Sequence, residues 1–269
     1  DFHFELLQAI QWENNLLVAD RYRERRVFLA GDATHQYIPT GGYGMNTGIG
    51  DAFDLGWKLS SVINGWGGQR LLDTVEEERR PIAFRNCAGS KRHAEARLEI
   101  GKVWPSNTLL KGVDGEKYRS QIAKKIIDIG NAENESLGIE IGYGYFGSSI
   151  VCNEKGDKAQ DDPLVYHPTT TPGYRPPALY TADGIPIFEL FGQGFTLLNF
   201  GLSEFKITPF KTSAEDLGVP FKVVSIEDEH VKSIYRYNLV LLRPDQHVAW
   251  RGQNAPKNSL EILQIVSGN

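Results

Sequence analysis

Arg26-Val-Phe-Leu-Ala-Gly-Asp-Ala-Thr-His35, then Pro39, then Gly41-Gly-Tyr-Gly-Met-Asn-Thr-Gly-Ile-Gly-Asp-Ala-Phe-Asp-Leu-Gly-Trp-Lys-Leu59 is the stretch on which the reading of this chain turns. Its apolar start, stopped by Gly31 and Asp32, reads as a buried strand over Arg26 to Ala30 that delivers an acid to a functional loop. From Asp32 to Asn46 the density of glycine, with Pro39, argues against regular structure and lets backbone approach a ligand closely. The period then changes. Ile49, Ala52, Phe53, Leu55, Gly56, Leu59, Val62 and Ile63 recur mostly at three- and four-residue intervals, predicting an amphipathic helix over Thr47 to Asn64 that Gly65, Gly67 and Gly68 end. Strand, glycine loop and helix in that order aim free backbone N–H groups, and the positive end of the helix dipole, at whatever occupies the loop. Such a loop favours a ligand that is, or becomes, negative.

Downstream, Leu71 to about Leu98 predicts a second helix, with Pro81 as a kink or break and the charge run Glu76 to Arg80 as a solvated face. Lys111 to Ile129 predicts another helix, and Glu140 to Val151 alternates glycines and aromatics as a strand does. Residues 161–177 are proline-rich and lack apolar periodicity, which predicts a linker. Beyond it, strands are expected at Phe188 to Phe191, Phe195 to Phe200, Phe221 to Ser225, Asn238 to Arg243 and His247 to Arg251, with a helix around Ser213 to Leu217. The whole reads as α/β, with one unit over 1–160 and a smaller one over 178–269.

Composition narrows the function. The 269 residues are 41% apolar, enough for a sizeable core, and the net charge of −5 is spread along the chain without the basic stripe that nucleic acid binding requires. Apolar runs such as Tyr237 to Leu242 are far shorter than the roughly 20 residues of a membrane helix. No signal-peptide pattern follows Asp1, so the expectation is a soluble, cytoplasmic protein that binds neither nucleic acid nor membrane. Cys87 and Cys152 form no CxxC pair and are expected to be buried or unreactive thiols.

The stretch from Arg26 to Leu59 resembles the second flavin-binding motif of the FAD-dependent aromatic hydroxylases, the phenol and polyketide hydroxylases among them. The resemblance continues through Glu78-Arg-Arg-Pro81, His167-Pro168, Pro172-Gly-Tyr-Arg-Pro-Pro177, Phe191-Gly192, Gly194-Phe-Thr-Leu-Leu198 and Leu242-Arg-Pro-Asp-Gln-His-Val-Ala-Trp-Arg251, and is weakest from about Leu98 to Asn134. It implies the C-terminal part of a glutathione-reductase-like FAD-binding domain, followed by a thioredoxin-like domain without the cysteine pair. The cofactor it implies is FAD, with NADPH or NADH as reductant, and the substrate a small phenolic or otherwise electron-rich aromatic molecule hydroxylated through a C4a-hydroperoxyflavin. On the resemblance, Gly31 lets the chain approach the cofactor, Asp32 holds the ribityl chain and Pro39 lines the reactive edge. Gly42, Gly44, Met45 and Asn46 belong to the loop whose N–H groups face the pyrimidine side of the flavin. No catalytic side chain and no metal ligand is assigned.

Of the remaining motif residues, His35 is expected to be structural or solvent-facing, Asp51 a helix-internal acid paired with a base, and Trp57 a core residue; Glu78-Arg-Arg-Pro81 suggests a structural ion pair. A complete dinucleotide fingerprint, with first strand, phosphate loop and distal ribose acid in order, is missing around the glycines at 41–50 and 65–68. The chain is therefore expected to be part of a longer enzyme. The alternative is a catalytically incomplete module whose C-terminal unit mediates interaction or homodimer formation.

Overall fold

The computed structural model describes residues 2–129, 135–154 and 162–269. Near the start, four two-residue strands make two small antiparallel pairs: β1 (Leu17–Val18) with β4 (His35–Gln36), and β2 (Arg23–Glu24) with β3 (Val27–Phe28). The run Arg26 to Ala30 thus gives no buried strand. Only Val27 and Phe28 pair, their partner among the described residues is the short β2, and Val27 stays 65% exposed.

The glycine stretch is more regular than its composition predicts. Gly31–Ala33 and Thr40–Gly42 are 3-10 turns, and α1 (Tyr43–Ile63) begins four residues earlier than the apolar period does. Gly41 (φ 81) and Gly42 (φ 70) take left-handed backbone that side-chain-bearing residues avoid, turning the chain directly into the helix. The helix ends at Ile63, with Asn64 as its C-cap and Gly65 left-handed just beyond, as C-terminal glycines commonly are.

α2 (Arg70–Lys102) packs along α1 and runs unbroken through Pro81, 33 residues in all. Pro81 therefore does not break the helix: it removes one hydrogen bond from a segment that packing holds, with Ile82 and Ala83 buried next to it. The charge run is no solvated face, since Glu78 and Arg79 are 1% and 2% exposed. Next come α3 (Asn107–Lys111), α4 (Gly115–Ile129) and α5 (Leu137–Ile141). The strand expected over Glu140 to Val151 is a helix end followed by loop, with a single bridge from Gly144 to Tyr174. Gly142-Tyr-Gly-Tyr-Phe-Gly147 spells GxGxxG, yet it follows a helix and opens none, so it lacks the strand–loop–helix context of a phosphate loop.

Asp161 lies outside the described residues. From Asp162 to Pro177 the chain has no helix or strand, but it is tied down: Gly173 N–H donates to Val248 O (2.7 Å) and Val248 N–H to Tyr174 O (2.8 Å). The following unit carries a four-stranded sheet in the order β6 (Phe221–Ser225), β5 (Phe195–Asn199), β7 (Leu239–Leu242), β8 (Val248–Gly252), with β5 parallel to β6 and the other pairs antiparallel. Leu197, Leu239 and Leu241 face α6 (Glu204–Leu217) and α8 (Ser259–Ser267), whereas Leu198, Val240 and Leu242 face α7 (Glu229–Tyr235) and the turn Ile187–Leu190. Both faces are covered, which is why β5 and β7 read as continuous apolar runs. Phe188 to Phe191, expected as a strand, forms that 3-10 turn, and α7 and α8 were not read from sequence.

Candidate functional site

The cavity that matters is built by the turn 31–36, the segment 37–42, the first residues of α1 and the extended segment near Trp12. It measures about 460 Å³ and is open to solvent. Asp32, Pro39, Gly42, Gly44 and Met45 share its wall, five of the seven residues singled out from sequence. Gly31 lies behind the wall: it is left-handed (φ 61) and packs on Gly48 of α1, where a Cβ on Gly48 would sit 3.3 Å from the Gly31 Cα. Asn46 faces elsewhere. Its side chain donates to Gly42 O (2.8 Å), and it lines a second cavity with Arg79, Asn86 and Tyr143 on the other side of the helix start. Trp12, Glu13 and Asn15 complete the first wall, unread from sequence because no motif marks them.

The helix start supplies the electrostatics. Gly42 is the N-cap residue and has no side chain to bond the first-turn N–H groups of Gly42, Tyr43, Gly44 and Met45. A Cβ on Gly42 or Gly44 would meet no protein atom within 4 Å, so the backbone here is bare toward open space. The positive end of a 21-residue helix attracts a negative group with a strength on the order of 0.3–1 kcal/mol, more when water is excluded. Asp32, exposed on the wall, offers an acceptor for hydroxyl groups.

Behind the turn sits Asp51, in α1 and 3% exposed. Its Oδ2 accepts from Gly31 N–H (3.1 Å), Thr34 Oγ1 (3.4 Å) and His35 Nε2 (2.9 Å), and its Oδ1 from Arg79 Nε (2.8 Å). Burial pushes this carboxyl up, but His35, Arg79 and the Gly31 N–H outweigh it and hold it below its ordinary value. Asp51 is thus the structural acid the motif suggested. His35 is not solvent-facing: its ring is buried and stacked on Tyr37, centroids 4.6 Å apart and planes 5° from parallel.

Arg79 Nη1 also donates to the Tyr145 hydroxyl oxygen (3.0 Å), and beyond it lies a second, fully buried set of charges that joins the two units. Lys58 Nζ donates to Asp54 Oδ2 (2.9 Å) and Glu78 Oε2 (2.6 Å), while Arg243 grips Glu78 (2.5 and 2.8 Å) and Asp245 (2.5 and 3.1 Å). Three carboxylates face two cations. The imbalance falls on Asp54, which burial raises to about 6, while Glu78, in the grip of Arg243 and Lys58, goes down to about 2 against its burial. Lys58 and Arg243 already fill the space among Asp54, Glu78 and Asp245, so this acid cluster is an ion-pair network and not a metal site. Trp57 packs in the core beside it, as expected.

A glycine turn here delivers an acid to the start of α1 and is braced from behind by Asp51. This chain belongs to the FAD-dependent aromatic-ring hydroxylases: residues 1–90 match the FAD binding domain, and residues 169–266 match the pattern described as aromatic-ring hydroxylase, C-terminal. Among curated relatives, it is 38% identical over 261 residues to the FAD-dependent monooxygenase opdD of Penicillium oxalicum, covering 93% of this chain and 49% of that protein. It is 30% identical over 299 residues to phenol 2-monooxygenase of a Pseudomonas species, covering 100% and 49%. Among solved structures, the rebeccamycin biosynthetic enzyme RebC with reduced flavin matches with a TM-score of 0.86 at 36% identity, over 96% of this chain and 48% of that one. The flavin-dependent monooxygenase PieE in complex with FAD and substrate matches at 0.81 and 28%, over 96% and 49%. The chain spans about half the length of the curated relatives it matches. No described helix is long and apolar enough to cross a membrane.

Proposed function

We propose that this chain forms the isoalloxazine and ribityl side of the FAD site in a monooxygenase that hydroxylates a phenolic or other electron-rich aromatic ring, with dioxygen and NADPH or NADH as co-substrates. The observation that carries this reading is the convergence of Asp32, Pro39, Gly42, Gly44 and Met45 on one cavity at the uncapped start of α1. When bound, FAD supplies electron transfer and oxygen activation, chemistry no side chain here can perform. The protein's part is to hold and polarise. Asp32 accepts hydrogen bonds from hydroxyl groups of the ribityl chain, Gly31 keeps the turn compact, and Pro39 narrows the cavity edge against water. The first-turn N–H groups of α1 favour negative charge on the ring held against them. Asn46 secures this first turn through its bond to Gly42 O and is a support, not a contact.

We also read residues 178–269 as a thioredoxin-like domain, 1–160 as part of the FAD-binding domain, and 161–177 as the connection between them. The order β5-α6-β6-α7-β7-β8-α8 with sheet order β6-β5-β7-β8 supports the first of these. Cys152, the one cysteine packed against that sheet, has no thiol partner, so a structural role for the domain fits better than dithiol chemistry.

Titration of the chain with FAD, followed by flavin absorbance and fluorescence, tests the site. Stoichiometric uptake that Asp32→Ala weakens about tenfold is the expected result. FAD uptake that Asp32→Ala leaves unchanged in a folded chain sinks the proposal.

A further inference from the structure

The Gly31–Ala33 turn has no cap of its own, because Ala30 before it offers no side-chain acceptor. Asp51 supplies one from α1: its Oδ2 takes the Gly31 N–H at 3.1 Å, and Asp32 is the next residue of that turn. Asp51 is fixed in turn by Arg79, whose planar guanidinium has three anchors. Nε donates to Asp51 Oδ1 (2.8 Å), Nη2 to Thr47 O (3.3 Å) and Nη1 to the Tyr145 hydroxyl oxygen (3.0 Å). The guanidinium crosses α1 at Gly50, where a Cβ would lie 2.7 Å from Nη2. Tyr145 itself is seated on the second unit and the segment leading to it. Its ring centroid lies 4.3 Å from that of His247 and 5.1 Å from the Arg243 guanidinium, and its backbone N–H donates to Gly173 O (3.0 Å). Asp51, Arg79 and Tyr145 are each at most 4% exposed, and none of them lines the cavity at Asp32. A buried N–H without an acceptor is costly, so a rigid guanidinium deprived of the Tyr145 hydroxyl must shift, and its bond to Asp51 shifts with it.

We propose that the second unit sets the geometry of the flavin loop through this buried chain: Tyr145 positions Arg79, Arg79 positions Asp51, and Asp51 holds the turn that presents Asp32. The inference rests on the flavin reading of the cavity. It gives the second unit a part in cofactor binding, with Tyr145 and Arg79 as positioning residues that never touch the bound molecule.

Two variants perturb the same guanidinium at different atoms. Tyr145→Phe removes the acceptor of Nη1, whereas Gly50→Ala sets a methyl group against Nη2 while favouring the helix. Each is expected to raise the Kd for FAD about three- to tenfold in fluorescence titrations of the full chain, the worth of one hydrogen bond. Because both act through one group, the double variant should lose no more than about twofold beyond the weaker single. Without FAD, exchange of the Gly31 amide should quicken in each variant relative to the buried Leu197 amide of β5. A merely structural tyrosine would lower Tm and leave both readouts at their wild-type values. Wild-type affinity in a folded Tyr145→Phe, losses that multiply in the double variant, or an unmoved Gly31 amide overturns the proposal. Should Tyr145→Phe fail to fold, Gly50→Ala decides it through the same affinity and exchange measurements. If the folded wild type takes up no FAD, the flavin reading falls by itself, and the Gly31 amide still decides the chain of contacts: quickened exchange upholds the link to the turn, and unmoved exchange overturns it.

Discussion

Replacing Arg243 by Met tests whether the buried charges hold the two units together. The guanidinium makes four contacts within 3.1 Å, two to Glu78 of α2 and two to Asp245, and lies over the rings of Trp57 (5.3 Å) and Tyr145 (5.1 Å). Methionine keeps the apolar stem but removes every polar contact. Glu78 retains Lys58 and Ser148, whereas Asp245 is left with its bonds around His247 alone, a buried carboxylate without a cation. Breaking one partner out of a buried pair costs about 3–5 kcal/mol, a large share of the roughly 5–15 kcal/mol a domain possesses. At about 2–4 °C per kcal/mol for a chain of this size, Tm should fall by roughly 6–20 °C, and the urea midpoint with it. Arg243→Lys, which keeps the charge but loses the two-pronged grip, should fall between. A loss below about 1 kcal/mol in Arg243→Met, with an unchanged m-value, would refute the claim that this network joins the units.

Asp54→Asn probes the same network through pH. Its carboxyl titrates at about 6 in the fold against 3.8 unfolded, so its stabilising contribution is full below pH 3.8 and lost as pH rises through 6. The variant should therefore lose less stability than wild type between pH 4 and pH 7 in urea melts; equal slopes would contradict the raised value. Gly41→Ala should destabilise by about 1–2 kcal/mol and weaken FAD uptake, because a Cβ there would lie 2.5 Å from the Tyr43 ring on left-handed backbone. Thermal melting with FAD titration checks it, and wild-type behaviour in both would show that the turn tolerates a side chain. Cys152, raised to about 11 by burial, should react with a thiol reagent far more slowly at pH 8 than an unfolded control. Comparable rates would place it in an open environment.

Much of the site was legible in the sequence because its chemistry depends on backbone. Glycines at 31, 41, 42 and 44, an acid at 32 and a proline at 39 constrain local φ and side-chain bulk, and those constraints are written in adjacent residues. The apolar runs of β5 and β7 likewise announce strands covered on both faces. Tertiary contact decided the rest. The run Glu76 to Arg80 read as a solvated face, and although Glu78-Arg-Arg-Pro81 suggested a structural ion pair, a charge run carries no mark of its partners, which lie 165 positions away at Arg243 and 28 at Asp51. Apolar periodicity placed the start of α1 at Thr47, since glycines carry no pattern, whereas the left-handed Gly41 and Gly42 turn the chain into the helix at Tyr43. The surroundings of His35 belong to the same class: its identity is local, but the partner of its Nε2 is Asp51 sixteen residues on, brought close only when the helix folds back on the turn.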